Sequence, residues 1–334
     1  MADTLDIVIV NWNSGTQLKS CLASLPAALH STFSLQRVVI VDNASSDASM
    51  DGDFYPHSLP ITIISNSENR GFAAACNQGA ASSNADFLLF LNPDTLLQTH
   101  SLDLPLSFLL QPENSHIGIC GIQLLDDNQN VSRTCAHFPS AMHFVGHSLG
   151  LDRLFPQTFP GLYLSARDHS NSHIVDHVIG AFFLVRRSVF DQRDGFDERF
   201  FVYLEDLDFS LRARQTGWSS YFLSTAQARH RGGGCSERAK STRLFYSLRS
   251  RLLYSFKHFS FLAATFVLFF TLVIEPFSRI VLAAAHLSFS EIKETFQAYG
   301  LLWKSLPSLI SHPSRTSGTP QPLPAAVRSL PPQL

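Results

Sequence analysis

A parallel α/β sheet flanked by helices is the fold class this sequence predicts, on three observations. Short, wholly apolar runs bounded by polar turns recur through the first third, as in strands covered on both faces. Segments with leucines at helical spacing, or with many small residues, separate them. Asn and Asp stand directly after the runs.

Residues 5–10 (LDIVIV), 37–41 (RVVIV), 61–65 (ITIIS) and 86–91 (DFLLFL) read as the first four strands. Between the first two, Leu18, Leu22, Leu25 and Leu29 mark a crossover helix. The stretch NRGFAAACNQGAASS after the third is a helix whose small residues let it approach the sheet closely. A leucine-rich helix then leads to a strand at 117–125 (IGICGIQLL). From 126 to about 175 the pattern weakens into an irregular insertion, of the long kind that is usually functional or mobile. Order returns at 177–190 (HVIGAFFLVRRSVF), and 203–218 (YLEDLDFSLRARQTGW) reads as a loop entering a helix closed by Gly217.

With 334 residues, 45% of them apolar, the chain has ample material for a packed core, and a net charge of −2 argues against broad nucleic-acid binding. The five cysteines show no metal-ligand spacing and read as buried thiols in a reducing compartment. The first apolar run has no basic residues before it and is only strand length, so no secretory signal is expected.

Ligands of open parallel sheets bind beyond the carboxyl ends of strands. Four such ends are polar here: Asn11-Trp12-Asn13, Asp42-Asn43, Ser65-Asn66 and Asn92-Pro93-Asp94. Each taken singly is also an ordinary turn or cap, but their coincidence on one edge favours a site. No GxxxxGK[ST] or GxGxxG follows the first strand, which lowers ATPase and dehydrogenase readings. The first tip offers an Asn-rich turn at Asn11 and Asn13, and Asp42 at the second has acceptor oxygens for the imide N–H of uracil or thymine. Asp94 suits another task. A lone carboxylate would repel a diphosphate, so it makes sense as a ligand of Mg²⁺ or Mn²⁺ that bridges the phosphates. Glu205 and Asp206 form a second acidic cluster; adjacent helical residues face different ways, so one points into a site while the other orients or caps. His230, ahead of three glycines, is placed to touch phosphates or a metal, and Arg229, Arg231 and Arg238 could neutralise a diphosphate or serve a membrane.

The runs IVIVNWNSG, VVIVDNASSD, NRGFAAACNQGA, FLLFLNPDT, GAFFLVRRSVFDQRDGFDERFFVYLEDLDFSLRARQTGW and HRGGGCS together resemble the inverting family 2 glycosyltransferases, especially a bacterial rhamnosyltransferase-like branch, over about residues 5–257. The resemblance implies a GT-A fold, the Rossmann-like mixed sheet of nucleotide-diphospho-sugar transferases. It also implies a nucleotide-diphosphate sugar donor and a divalent metal, Mg²⁺ or Mn²⁺. By motif, Asp42 contacts the base, and Asn69, Arg70, Gly71, Phe72 and Asn77 lie along the donor. Asn92 and Asp94 stand where the family has Asp-x-Asp, so the first carboxylate is missing; Asp94 and His230 are the implied metal contacts, with Arg231 beside them. Asp206 is the implied general base, with Glu205 as the alternative.

Eight Lys or Arg and one acid lie between Arg229 and Lys257, with Phe245, Leu248, Leu252 and Phe256 at helical spacing. This reads as a basic amphipathic helix on anionic lipid. The apolar run 261–274 is shorter than the roughly 20 residues of a membrane span and is interrupted by Glu275-Pro276, so peripheral or monotopic attachment is expected, on the cytoplasmic face of the cytoplasmic membrane. The expected organisation is a catalytic domain at 1–240, amphipathic and apolar membrane-associated helices at 241–310, and a disordered Pro/Ser-rich tail at 311–334. The favoured function is transfer of a sugar, on resemblance L-rhamnose from dTDP-rhamnose, to a hydroxyl of a lipid-linked glycan or polysaccharide. Alternatives are a transferase using a UDP-hexose or GDP-sugar, an inactive sugar-nucleotide-binding membrane scaffold and, less in keeping with NWNSG, a sugar nucleotidyltransferase.

Overall fold

The structure, a computed structural model, describes residues 3–29, 32–51, 56, 58–159, 161–232 and 240–310. Gly233, Gly234, Cys235, Arg238 and the tail from 311 lie outside them. In chain order the elements are β1 (Thr4–Asn11), α1 (Gln17–Ala28), β2 (Ser34–Asp42), β3 (Ile61–Ser65), α2 (Phe72–Ala80), β4 (Phe87–Leu91), β5 (Thr95–Leu97), α3 (Asp103–Leu110), β6 (Ile117–Leu125) and β7 (Cys135–Ala136). There follow α4 (Ala141–Ser148), α5 (Leu151–Leu154), β8 (His173–Val175), β9 (His177–Val178), β10 (Phe182–Arg186), α6 (Arg187–Gln192), α7 (Glu205–Arg214) and β11 (Ser219–His230). The last are α8 (Lys240–His258), α9 (Phe261–Phe269), α10 (Glu275–Ala285) and α11 (Phe289–Ile310). They form two compact units; residues 139–162, 198–204 and those from 236 make up the second.

In the first unit the described residues form a sheet of order β3-β2-β1-β4-β10-β6-β11-β5, with β8 on β11. The first four strands are parallel, and β10 runs antiparallel between β4 and β6, so the sheet is mixed. Two-residue alternation divides its faces. Leu5, Ile7 and Ile9 pack with Leu18, Leu22 and Leu25 of α1 and Leu102, Leu106 and Leu109 at α3. Val8 and Val10 face Ala73, Ala75, Cys76 and Ala80 at α2, together with Phe190 of α6 and Phe209 of α7. The small residues of α2 have the expected purpose: a Cβ built on Gly79 would stand 2.5 Å from Val8 Cγ1. Cys21, Cys76, Cys120 and Cys135 are free and buried.

The chain order turns back at β1, with β2 and β3 on one side and β4 on the other. That is the switch point at which such sheets bind ligands.

In the second unit two expectations are corrected. α8 is not a lipid-facing amphipathic helix: Phe245, Leu248 and Leu252 are fully buried, and it packs against α9 and α11. Two of its arginines, Arg249 and Arg251, are buried and structural. Arg249 donates to the Arg199 carbonyl at 2.8 Å, Ser250 to the Val202 carbonyl at 2.8 Å, and Tyr246 stacks on Phe201 at 4.4 Å, which ties residues 198–204 to this helix. Nor does Glu275-Pro276 end the apolar run. Phe261–Ala285 is one helix of 25 residues, long and apolar enough to cross a membrane by length and composition. A π turn at Phe270–Ile274 shifts the hydrogen-bond register just ahead of Pro276, which accommodates the missing N–H. The Glu275 carboxylate is taken up by Arg251 at 2.5 Å, Arg279 at 2.7 Å and the Ser148 hydroxyl at 2.9 Å. Phe261, Leu262, Phe277, Leu287, Phe289 and Phe296 are left largely exposed.

Candidate active site

The carboxyl ends of β1, β2 and β4 share one edge of the first unit. Asn11 pairs in register with Asp42, and Ile9 with Leu91, so Asn92-Pro93-Asp94 emerges beside them. The antiparallel β10 begins at this edge, with Phe182 opposite Leu91. β11 ends there too, with His230 opposite Thr95.

Asp42 is held before any ligand arrives. Asn11 Nδ2 and Ser45 Oγ donate to its Oδ1 at 2.8 and 2.6 Å, while Oδ2 takes a longer bond, 3.2 Å, from the Ser45 N–H. Oδ2 is therefore the freer acceptor. Asn13, at positive φ (51°), shapes the neighbouring turn by accepting the N–H groups of Ser46 and Asp47 at 2.7 and 3.2 Å. The Asn69 side chain accepts the Gly71 N–H at 2.9 Å, and Asn43 donates to the Gly71 carbonyl at 3.0 Å, so that turn is fastened to the end of β2. Gly71 has φ 87°, a conformation that favours glycine, and Arg70 is exposed. Phe72 packs partly into the core.

Asn77 faces elsewhere. Its amide donates to the Phe196 carbonyl at 2.8 Å and accepts the Phe196 N–H at 2.9 Å, locking Phe196 into a cluster with Phe90 and Phe209.

Asn92 N–H bonds the Ala181 carbonyl at 3.1 Å, which joins the β4 end to the β10 start. Asp94 Oδ1 lies 3.3 Å from His230 Nε2, both side chains mostly buried. That separation approximates neighbouring ligands about a divalent cation with bonds of about 2.1 Å. Among the described residues no third His, Cys, Asp or Glu joins them. The pair thus fits a hard cation completed by phosphate oxygens and water. Arg229 and Arg231 each lie 3.6 Å from Asp127, an acid that shares their charge.

α7 starts with the acidic pair, which the chain reaches through Tyr203 and Leu204, both at positive φ (70° and 66°). The two acids diverge as adjacent helical residues must. Glu205 is buried, with Oε2 lacking a hydrogen-bond partner, and burial followed by the Asp206 charge pushes its carboxyl well above the usual range. Asp206 is partly open. The Gly180 N–H donates to its Oδ2 at 2.7 Å, the Leu207 N–H to its Oδ1 at 2.8 Å, and a Cβ on Gly180 would come within 3.1 Å of Oδ2. Asp42, Asp94, His230 and Asp206 thus all sit on elements that end or begin at one sheet edge. Sequence reasoning missed His177, buried beside Asp206, and Gly180; only its place in GAFF, directly before a strand, signals the glycine.

Residues 6–194 match the family model described as Glycosyl transferase family 2. The chain is similar to an N-acetylglucosaminyl-diphospho-decaprenol L-rhamnosyltransferase of Mycobacterium tuberculosis H37Rv, 28% identical over 244 residues, 69% of this chain and 76% of the relative. Among solved structures it resembles S. aureus TarS 1-349 in complex with UDP-GlcNAc (TM-score 0.53, 16% identity, 91% and 82% of the two chains). It also resembles the mannosyltransferase PcManGT of Pyrobaculum calidifontis with GDP-Man and Mn²⁺ (TM-score 0.51, 12% identity, 93% and 88%). With the mixed sheet and its polar edge, these matches mean that the chain belongs to glycosyl transferase family 2, in its rhamnosyltransferase-like branch, and is a glycosyltransferase.

Proposed function

We propose that the chain transfers L-rhamnose from dTDP-rhamnose, with inversion, to a hydroxyl of a lipid-linked glycan or polysaccharide. The observation that carries this is the Asp206 carboxylate, anchored to Gly180 at the sheet edge where Asp42 and the Asp94–His230 pair also stand. Asp206 removes the acceptor hydroxyl proton as the new C1–O bond forms and the C1–O bond to the diphosphate breaks. General-base help of this kind contributes roughly 10²–10⁴-fold. Asp42 Oδ2 receives the base imide. Asp94 and His230 would hold Mg²⁺ or Mn²⁺, which neutralises the leaving diphosphate when bound. The name of the mycobacterial relative supports both the rhamnose donor and a prenyl-diphosphate acceptor.

The unit built on the mixed sheet carries this chemistry, and residues 241–310 attach the chain to the cytoplasmic face of the cytoplasmic membrane. The exposed apolar side chains of 261–303, with the one acid of the long helix sequestered, support attachment.

The test incubates the full chain with radiolabelled nucleotide sugars, dTDP-rhamnose among them, and membrane lipid extract, with and without EDTA. Label from dTDP-rhamnose should enter the lipid phase, EDTA should stop it, and Asp206→Asn should lower it about 10²–10⁴-fold. Label entering only from another donor would replace the rhamnose assignment. Donor binding without transfer or hydrolysis would leave a scaffold in place of an enzyme.

A further inference from the structure

His177 is wholly buried on β9, and no motif marks it. Its Nε2 lies 3.6 Å from Asp206 Oδ2, and its Nδ1 lies 3.0 Å from the Ser210 hydroxyl, one turn further along α7. β9 is fixed from the other side, Ala136 and Cys135 of β7 pairing with His177 and Val178. An ionised carboxylate offers only lone pairs, so the nitrogen facing it must carry the proton or repel it. Nδ1 is then the acceptor. The Ser210 hydroxyl has two acceptors in reach, Nδ1 and the Asp206 carbonyl at 2.9 Å, and this tautomer assigns its proton to the imidazole.

We propose that His177 is a positioning residue for Asp206, in a buried chain running from the Ser210 hydroxyl through the imidazole to the carboxylate. The Gly180 N–H donates to Oδ2, the imidazole Nε2 faces the same oxygen from 3.6 Å as an electrostatic contact outside hydrogen-bond reach, and Oδ1, bonded by the Leu207 N–H, is left to take the proton. The inference rests on Asp206 being the base. Burial holds the imidazole below its ordinary acidity range, with Asp206 and then Asp176 opposing, so it acts as a neutral donor. Asp176 is itself engaged by Arg214 at 3.2 Å and His137 at 3.5 Å, and Tyr163 feels the charges of both Asp206 and Arg133.

The first test needs no substrate. Side-chain ¹⁵N spectra of the full chain, with His177 assigned by its absence in His177→Phe, should show the neutral Nε2–H tautomer; an Nδ1–H tautomer would overturn the proposal. The second test follows transfer from dTDP-rhamnose to a short prenyl-diphosphate-linked N-acetylglucosamine. His177→Phe should lower kcat about 10²-fold, leave the donor KM in place and move the acidic limb of the pH profile upward, because the imidazole N–H dipole no longer faces the carboxylate. His177→Gln, which restores an N–H, should recover most of the rate. Ser210→Ala should give a smaller shift of the same sign, and serves if His177→Phe fails to fold. An unmoved acidic limb in these variants, with Asp206→Asn inactive, would sink this inference alone; an active Asp206→Asn would sink the base assignment beneath it.

Discussion

Glu205 and Asp206 are neighbours in the chain with different electrostatic fates. Glu205 has its folded-state pKa raised by burial first and by Asp206 second, so its contribution to stability is present below about pH 4.3 and lost as pH rises through the folded value. Glu205→Gln should therefore unfold at higher denaturant than wild type at pH 8, by about 1 kcal/mol or more, since each tenfold change in acidity is worth about 1.4 kcal/mol. The gap should close at pH 4. Transfer in this variant should stay within about tenfold of wild type, against the far larger loss at Asp206, if the base lies only on Asp206. His177 has the opposite sign: its folded pKa is lowered, so the unfolded chain takes up a proton first and stability falls as pH drops below about 6.5. His177→Phe should flatten that slope between pH 7.5 and 5.5. The places of Asp42 and Asp94 at the ends of β2 and β4 were legible because turns after buried strands are readable. His177 was not, because a lone histidine in an apolar run carries no periodic signal, and its partner Asp206 is 29 residues away.

The elements differ in how plainly they were written. β3 and β6 run between the bounds read from the sequence, because an unbroken apolar run has sharp polar edges. β11 went unread. Its Ser224 and Thr225 break the apolar pattern where the register against β6 slips between Leu223 and Gln227, and a strand with such an irregularity looks like a loop. The small-residue rule for α2 did hold: Gly79→Ala should cost about 1–3 kcal/mol by overpacking against Val8, read as a lowered denaturation midpoint. α8 misled because amphipathicity says that one face is covered, not what covers it. Its buried Arg251 meets Glu275, 24 residues on, and Glu275→Ala should cost about 3–5 kcal/mol by leaving that guanidinium unpaired.

At the scale of the whole molecule, the family and mixed α/β class were readable from motif order, while the division into two units was not. Residues 139–162 and 198–204 belong with the C-terminal helices, a grouping made by contacts distant in sequence. The proposed attachment through the exposed apolar side chains of 261–303, rather than through the arginines of α8, predicts that carbonate or high salt leaves the chain in the membrane fraction, where detergent releases it. Release by salt alone would reassign the attachment to charge.

Tyr203 and Leu204 bear on how the acidic pair is mounted. Neither is glycine, and a left-handed backbone of this kind costs of order 1–3 kcal/mol at each position, so the bend is imposed by what grips residues 198–204. Such a bend is a wound spring in the chain immediately ahead of the two carboxylates.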